Sequence, residues 1–231
     1  MKNKLQTAIK SLNSIILGKP EVIRQALTCL LAEGHLLIED LPGTGKTTLA
    51  HALAKVLGMD YQRVQFTSDM LPADIIGVSI FQQEQGDFRF HRGPLFNQLI
   101  LADEVNRATP KTQSALLEAM EEQQVTVDGN THKLPQPFFV LATQNPSTQI
   151  GTFPLPESQL DRFLMRVSMG QMSAQAERAL LAGESRRDML KHIEAALSSA
   201  DLLALQKQVK NVQVSDTLVS YLQDVLQHSR D

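Results

Sequence analysis

The sequence has no tryptophan, only two tyrosines and a single cysteine among 231 residues. One thiol, Cys29, cannot close an internal disulfide, so the fold must rest on its apolar core, as expected in a reducing compartment. Neither sign of charge dominates: 22 Lys and Arg face 25 Asp and Glu, a formal net charge of -3. That balance lacks the basic excess of a nucleic-acid binder, and nucleic acid is not an expected partner. No apolar run approaches the length of a membrane span, and the opening MKNKLQTAIKSLNS is polar and amphipathic rather than a signal peptide. The chain therefore reads as cytoplasmic. Its hydrophobic content of 42% is enough for one large domain, or for a medium domain with a smaller companion.

What is present centres on residues 36–57, LLIEDLPGTGKTTLAHALAKVL. An apolar run, Leu36 to Ile38, predicts a strand that stops at Glu39 and Asp40. A loop with Pro42, Gly43, Thr44 and Gly45 follows, and Lys46, Thr47 and Thr48 open a segment with Leu49, Leu53 and Leu57 at helical spacing. Strand, glycine loop and helix together form a phosphate site, because glycine lets backbone N–H groups approach phosphate oxygens and the helix N-terminus presents its positive end. Lys46 is placed to reach the β- and γ-phosphates, and the Thr47 hydroxyl to ligate magnesium. The pattern GxxxxGK[ST] is matched except at its first glycine, where this chain has Asp40.

The second chemical landmark is LILADE, residues 99–104, an apolar run ending in two carboxylates. Strand alternation predicts that Asp103 and Glu104 point to opposite sides at the carboxyl end of a sheet, where ligands bind in doubly wound folds. One acid there can hold magnesium and the next can polarise an attacking water. The strand FFVLATQNP ends in Thr143, Gln144 and Asn145; Asn145 either orients that water or serves as a turn residue before proline.

Around these landmarks, the lysine-rich residues 2–14 carry a helical stripe of Leu5, Ile9 and Leu12, and Pro20 opens a second helix. The apolar turn of Ile15, Ile16 and Leu17 either covers an adenine base or packs in the core. YQRVQF reads as a strand, a short helix follows before Gly77, and residues 78–93 read as a hairpin turning at Gly86-Asp87. A helix entered at Thr109-Pro110 leads to a second hairpin around Asp128-Gly129-Asn130. A short helix is expected near residues 157–163, then a strand in LMRVSM. From Ser173 onward only helical stripes remain, with Ser173, Ser199 and Ser215 as expected N-caps. The expected division is an α/β nucleotide-binding domain, 1–172, and a helical unit, 173–231. His35 and His51 lack a second ligand at metal spacing and read as structural or exposed. Glu121-Glu122 reads as a solvated helix end, and Met165, Met169 and Met172 as core and linker.

Together LPGTGKT, HRGPLFNQLILADEVNRATPKTQSALLEAMEE, VTVDG, FFVLATQNP and LPESQLDRF resemble the MoxR family of AAA+ ATPases over most of the chain. The resemblance implies a P-loop NTPase core with a five-stranded parallel sheet between helices, then a small all-helical lid, with ATP bound at the junction of subunits in a ring, hexameric in such proteins. It implies ATP and magnesium as cofactors, with Pro42 to Thr48 around the nucleotide and Thr47 and Asp103 on the metal. Glu104 and Asn145 are implied as catalytic, Asn145 as the sensor of the γ-phosphate, and Arg162 as the arginine supplied to the neighbour. Arg92, Arg107 and Arg166 are also available, and an arginine after Asp161 could form a local ion pair. The two hairpins correspond to the family's inserts. Family members continue past the last helix into a segment with a lid arginine; this chain ends at Asp231 before it, so the lid is expected to be cut short.

The expected function is ATP hydrolysis coupled to chaperone-like remodelling or maturation of a protein client. A different class is a nucleotide-gated binding module with little hydrolysis, for which the resemblance suggests a von Willebrand A-type partner. A DNA-directed motor would need a basic groove, and Arg89, His91, Arg92, His132 and Lys133 are too sparse for one.

Overall fold

The structure is a computed structural model that describes residues 2–40, 43–84, 86–145, 151–183 and 186–230. Two helices come first, α1 (Lys2–Ile15) and α2 (Pro20–Leu31), the second with proline in its first turn. The α/β alternation then runs β1 (Leu36–Glu39), α3 (Lys46–Val56), β2 (Tyr61–Gln65) and the short α4 (Pro72–Ile76). A hairpin of β3 (Gly77–Gln82) and β4 (Asp87–Arg92) precedes β5 (Leu99–Asp103) and α5 (Pro110–Glu122). A second hairpin, β6 (Gln124–Val127) and β7 (Asn130–Lys133), leads to β8 (Phe139–Gln144), the single-turn α6 (Glu157–Leu160) and β9 (Met165–Val167). Helices α7 (Ala174–Ala182), α8 (Arg186–His192), α9 (Ser199–Lys210) and α10 (Asp216–His228) follow.

Strands β2, β5, β8, β1 and β9 pair in that order, all parallel. The expected five-stranded parallel sheet between helices is thus what the chain builds. Alternation along each strand divides the core in two. Leu36, Ile38, Leu99, Leu101, Phe139 and Leu141 face α1, α2 and α3, whereas Leu37, Ile100, Ala102, Val140 and Ala142 face α5 and the base of the second hairpin. His35, just before β1, is buried on the α5 side of the sheet: its Nδ1 accepts the Val140 N–H at 3.0 Å, so Nε2 carries the proton donated to Met120 O at 3.2 Å. Burial pushes its pKa down to about 4, which keeps the ring neutral. Cys29 is buried in the first layer, and burial pushes its thiol up to about 12.

Both hairpins form as expected, with one shift. Asp128 and Gly129 take positive φ (50° and 78°), the pair of left-handed residues that a two-residue turn demands. In the first hairpin Asp87 is already in the strand, paired with Gln82, so the connection is residues 83–86 rather than a Gly86-Asp87 turn. The hairpins meet where Phe90 stacks on His132 at 4.3 Å, and next to that contact the Arg92 guanidinium lies over the Phe96 ring at 5.1 Å.

The carboxyl-terminal helices carry one correction. Ser173 and Ser215 cap α7 and α10 as expected, but α9 is capped by Ser198, not Ser199. Ser198 is extended and forms a reciprocal box with Asp201, while the Ser199 hydroxyl turns to Gly58 O and Gln98 Oε1. Leu190, Leu197, Leu202 and Leu205 bury in the same layer as α1 to α3. Ion pairs Lys4–Asp201 (2.8 Å) and Lys210–Glu33 (2.7 Å) and the bond from Gln206 Nε2 to Leu30 O (2.8 Å) fasten α9 to α1 and α2. By contrast α10 buries no residue.

Candidate nucleotide site

The parallel register puts the carboxyl ends of β1, β8, β5 and β2 along one edge, with Glu39 opposite Gln144 and Gln65 opposite Asp103. The phosphate loop leaves β1 at that edge. Gly43 and Gly45 hold φ of 84° and 92°, and a Cβ at either would meet no atom within 4 Å, so backbone angle rather than crowding requires glycine there. Gly45 is the residue before α3, whose first turn opens onto a cavity of about 390 Å³ lined by Lys46, Thr47, Arg63, Asp103, Glu104 and Asn145, with Gly43, Gly45 and Thr48. Pro42 lies outside the described residues. Lys46 is buried and donates to Asp40 O at 2.8 Å; burial lowers its pKa, against the upward pull of Asp103, Asp40 and Glu104. Thr44 borders the neighbouring cavity instead.

The two acids converge. β5 ends at Asp103, and Glu104 takes a left-handed backbone (φ 57°, ψ 48°), so strand alternation does not apply to it and both carboxylates line the same cavity. This overturns the expectation of opposite sides. Asp103 Oδ1 accepts the Thr143 hydroxyl at 2.6 Å, and Oδ2 accepts Arg63 Nη2 at 2.7 Å and Nε at 3.2 Å. Glu104 Oε1 accepts Asn145 Nδ2 at 3.0 Å, and Oε2 accepts Gln65 Nε2 at 3.0 Å and Arg107 Nε at 2.8 Å. Asn106 clasps the Asn145 backbone from both sides, Nδ2 to O at 3.0 Å and Oδ1 from N at 3.3 Å. Arg63, Gln65, Thr143 and Asn106 were not singled out by sequence reasoning. For Arg63 and Gln65 a signal existed, since alternation in YQRVQF puts both on one face of a strand bound for this edge.

The apolar turn before α2 lies beside the loop. Ile15, Ile16 and Leu17 line a second cavity, about 220 Å³, with Thr48, Met169 and Met172, and with Gly43 to Gly45 on its shared wall. Its size and apolar walls suit a planar base, so the turn both packs in the core and faces open space.

Arg162 stands apart from these groups. It follows α6, pairs with Glu121 at the end of α5, and borders a third cavity that shares no lining residue with the phosphate cavity. Glu121 is thus an ion-pair partner rather than a merely solvated end, and Asp161 is not the residue Arg162 pairs with in that bridge. Of the other arginines, Arg107 is on Glu104, Arg166 pairs with Glu39, and Arg92 covers Phe96.

A sheet of this order with a glycine loop and paired acids at its carboxyl edge is the arrangement of a phosphate-loop nucleotide-binding fold, and comparison with known proteins gives its family. Residues 35–165 match the ATPase family associated with various cellular activities (AAA). The chain is 46% identical over 226 residues to the uncharacterised protein YeaC of Bacillus subtilis, covering 98% of this chain and 71% of that protein. It is 41% identical to chaperone MoxR1 of Mycobacterium tuberculosis, over 94% of this chain and 57% of the relative, and 36% identical to protein MoxR of Paracoccus denitrificans, over 79% and 55%. A crystal structure of a candidate ATPase from Cytophaga hutchinsonii superposes with a TM-score of 0.87 at 39% identity, covering 96% of this chain and 67% of the other. The chain belongs to the AAA ATPase family and, within it, to the MoxR type. It spans little more than half the length of the two MoxR relatives. No helix among the described residues is long and apolar enough to cross a membrane.

Proposed function

We propose that the chain binds ATP with magnesium and hydrolyses it as one subunit of a ring, hexameric by resemblance, in the cytoplasm. The observation that supports this best is the gathering of Lys46, Thr47, Asp103, Glu104 and Asn145 around one cavity at the N-terminus of α3. The residues present fit the nucleotide. The loop backbone faces open space at Gly43 and Gly45, and an apolar cavity for a base adjoins. They fit magnesium too, which keeps water and phosphate ligands and so needs few protein groups. Among the described residues no cluster of three or more His, Cys, Asp or Glu is placed to hold a metal unaided. The exposed Thr47 hydroxyl and the Asp103 carboxylate would hold it, and bound there it would neutralise phosphate charge.

Lys46 and the amides of residues 43–48 hold phosphate oxygens. Glu104 takes the proton of the attacking water, and Asn145, already bonded to Glu104, orients that water. Arg162 lies away from its own chain's phosphate cavity, which suits an arginine donated to a neighbour's site. Residues 1–172 form the nucleotide-binding domain and 173–231 a helical lid unit. By analogy with the chaperone MoxR1, the cycle drives remodelling of a protein client; a von Willebrand A-type domain partner rests on the family resemblance alone.

Glu104→Gln should keep nucleotide affinity within a few-fold while lowering phosphate release by about a hundredfold or more, the usual scale for a lost general base. Unchanged turnover would remove Glu104 from the reaction. Mixing Glu104→Gln with Arg162→Ala subunits should restore part of the activity if sites are shared across an interface; no rescue at any ratio would place the finger on another residue.

A further inference from the structure

Asp40 stands where the general phosphate-loop pattern has glycine. A glycine there would leave the position without a side chain, but this chain uses one. Oδ2 of Asp40 accepts the Gly170 N–H at 2.9 Å and the Ser168 hydroxyl at 3.1 Å, and Ser168 Oγ lies 3.1 Å from the same Gly170 nitrogen. The carbonyl of Asp40 meanwhile accepts the Lys46 ammonium at 2.8 Å. Residues 168–173 are the strap between β9 and α7. The strap is gripped from its other side by Lys19, whose buried ammonium donates to Gly170 O at 2.9 Å and Gln171 O at 2.6 Å. Gly170 has φ 61°, a left-handed turn that presents its N–H to Asp40 and its carbonyl to Lys19. Met169 and Met172 of the same strap wall the apolar cavity beside the phosphate loop.

The geometry points to Asp40 as a positioning residue that ties the phosphate-binding lysine to the strap walling the base cavity and entering the helical unit. Lys46 and the strap are set by the two ends of one residue. A group that draws the Lys46 ammonium away from the Asp40 carbonyl also acts on the backbone carrying the Asp40 carboxylate, and such coupling works equally in reverse. The nature of that group, a nucleotide phosphate, rests on the function proposed above; the tie itself does not.

The test is hydrogen exchange at residues 168–172, with and without ADP and magnesium, alongside nucleotide affinity and steady-state phosphate release. In nucleotide-free Asp40→Gly, which restores the residue of the general pattern, Gly170 exchange should accelerate about tenfold, as expected for losing one charge-assisted hydrogen bond. The nucleotide-induced change in strap exchange should disappear. Asp40→Asn keeps an oxygen for both donors and should retain most of the protection, whereas Asp40→Leu, close to it in size but with no acceptor, should lose it as Asp40→Gly does, a loss that a purely steric role would not give. Ser168→Ala leaves the phosphate loop untouched and should weaken the strap response to nucleotide while leaving kcat less affected than KM. Unchanged Gly170 exchange in Asp40→Gly, or a full nucleotide response in both Asp40→Gly and Ser168→Ala, would overturn the assignment. If the unaltered protein bound no nucleotide, the ATP reading would fail, and the tie would still stand or fall on the nucleotide-free comparison at Gly170.

Discussion

Strand β5 and helix α10 are both apolar segments that a periodicity argument reads with equal ease, yet all five residues of β5 are buried and none of α10 is. β5 sits between β2 and β8 with a helical layer on each face, so alternate side chains leave water on both sides. On α10, Leu218, Leu222 and Val225 repeat at helical spacing, but they remain about half exposed. Helix α9 lies between these extremes, with Leu202 and Leu205 buried in the layer of α1 to α3, its main contacts made with α2, and its ends held by Lys4 and Glu33. An apolar stripe therefore specifies a face in search of a partner. Stability comes only where the partner is present, because the hydrophobic term scales with area removed from water.

The largest expected effect lies in the sheet. Phe139→Ala should cost about 3–5 kcal/mol in urea unfolding, since the side chain is 1% exposed and leaves a cavity that the flanking strands cannot close. A cost as small as that of a surface change would mean that the sheet packs more loosely than its burial implies.

Next comes pH. The folded-state pKa of His35 is lowered to about 4 from an ordinary 6.5, so the unfolded chain binds the extra proton between those values. This contribution is fully present above pH 6.5 and is lost as pH falls toward 4, by roughly 3 kcal/mol at 1.36 kcal/mol per unit. Urea midpoints should therefore fall across that window, and His35→Gln should flatten the dependence. An unchanged slope in the variant would assign the acid sensitivity to other groups.

Two serine caps then separate docked from undocked helix. Ser198→Ala removes the cap of α9 and should cost about 1 kcal/mol of global stability. Ser215→Ala removes the same chemistry from α10, and there the loss should appear as faster local exchange without a shift in the global midpoint. Equal global costs would show that α10 unfolds together with the body. Smallest of all, Leu222→Ala should stay within about 0.5 kcal/mol, the range of exposed substitutions.

Much of the site was legible before any fold was drawn. The glycine loop and Lys46 follow from local backbone chemistry, and the LILADE run announces a buried strand ending in acid. What local pattern could not supply was convergence. Alternation sent Asp103 and Glu104 to opposite sides, and only the left-handed turn at Glu104 brings them to one cavity. Arg63 and Gln65 reach those acids because β2 pairs with β5 in the register that sets Gln65 opposite Asp103. Ser199 was the expected cap, but Ser198 has Asp201 three residues on, which completes the box.

The sequence by itself determined the phosphate loop, the alternation of strand and helix around it, the two hairpins and the change to helix after Ser173, because each depends on the chemistry of adjacent residues. Tertiary structure decided what Asp40, Arg63, Gln65 and Arg162 touch, and which helices find a partner. Those contacts join residues far apart in the chain, 130 positions between Asp40 and Gly170 and 197 between Lys4 and Asp201. Strand order and register bring such residues together, and no local spacing encodes either.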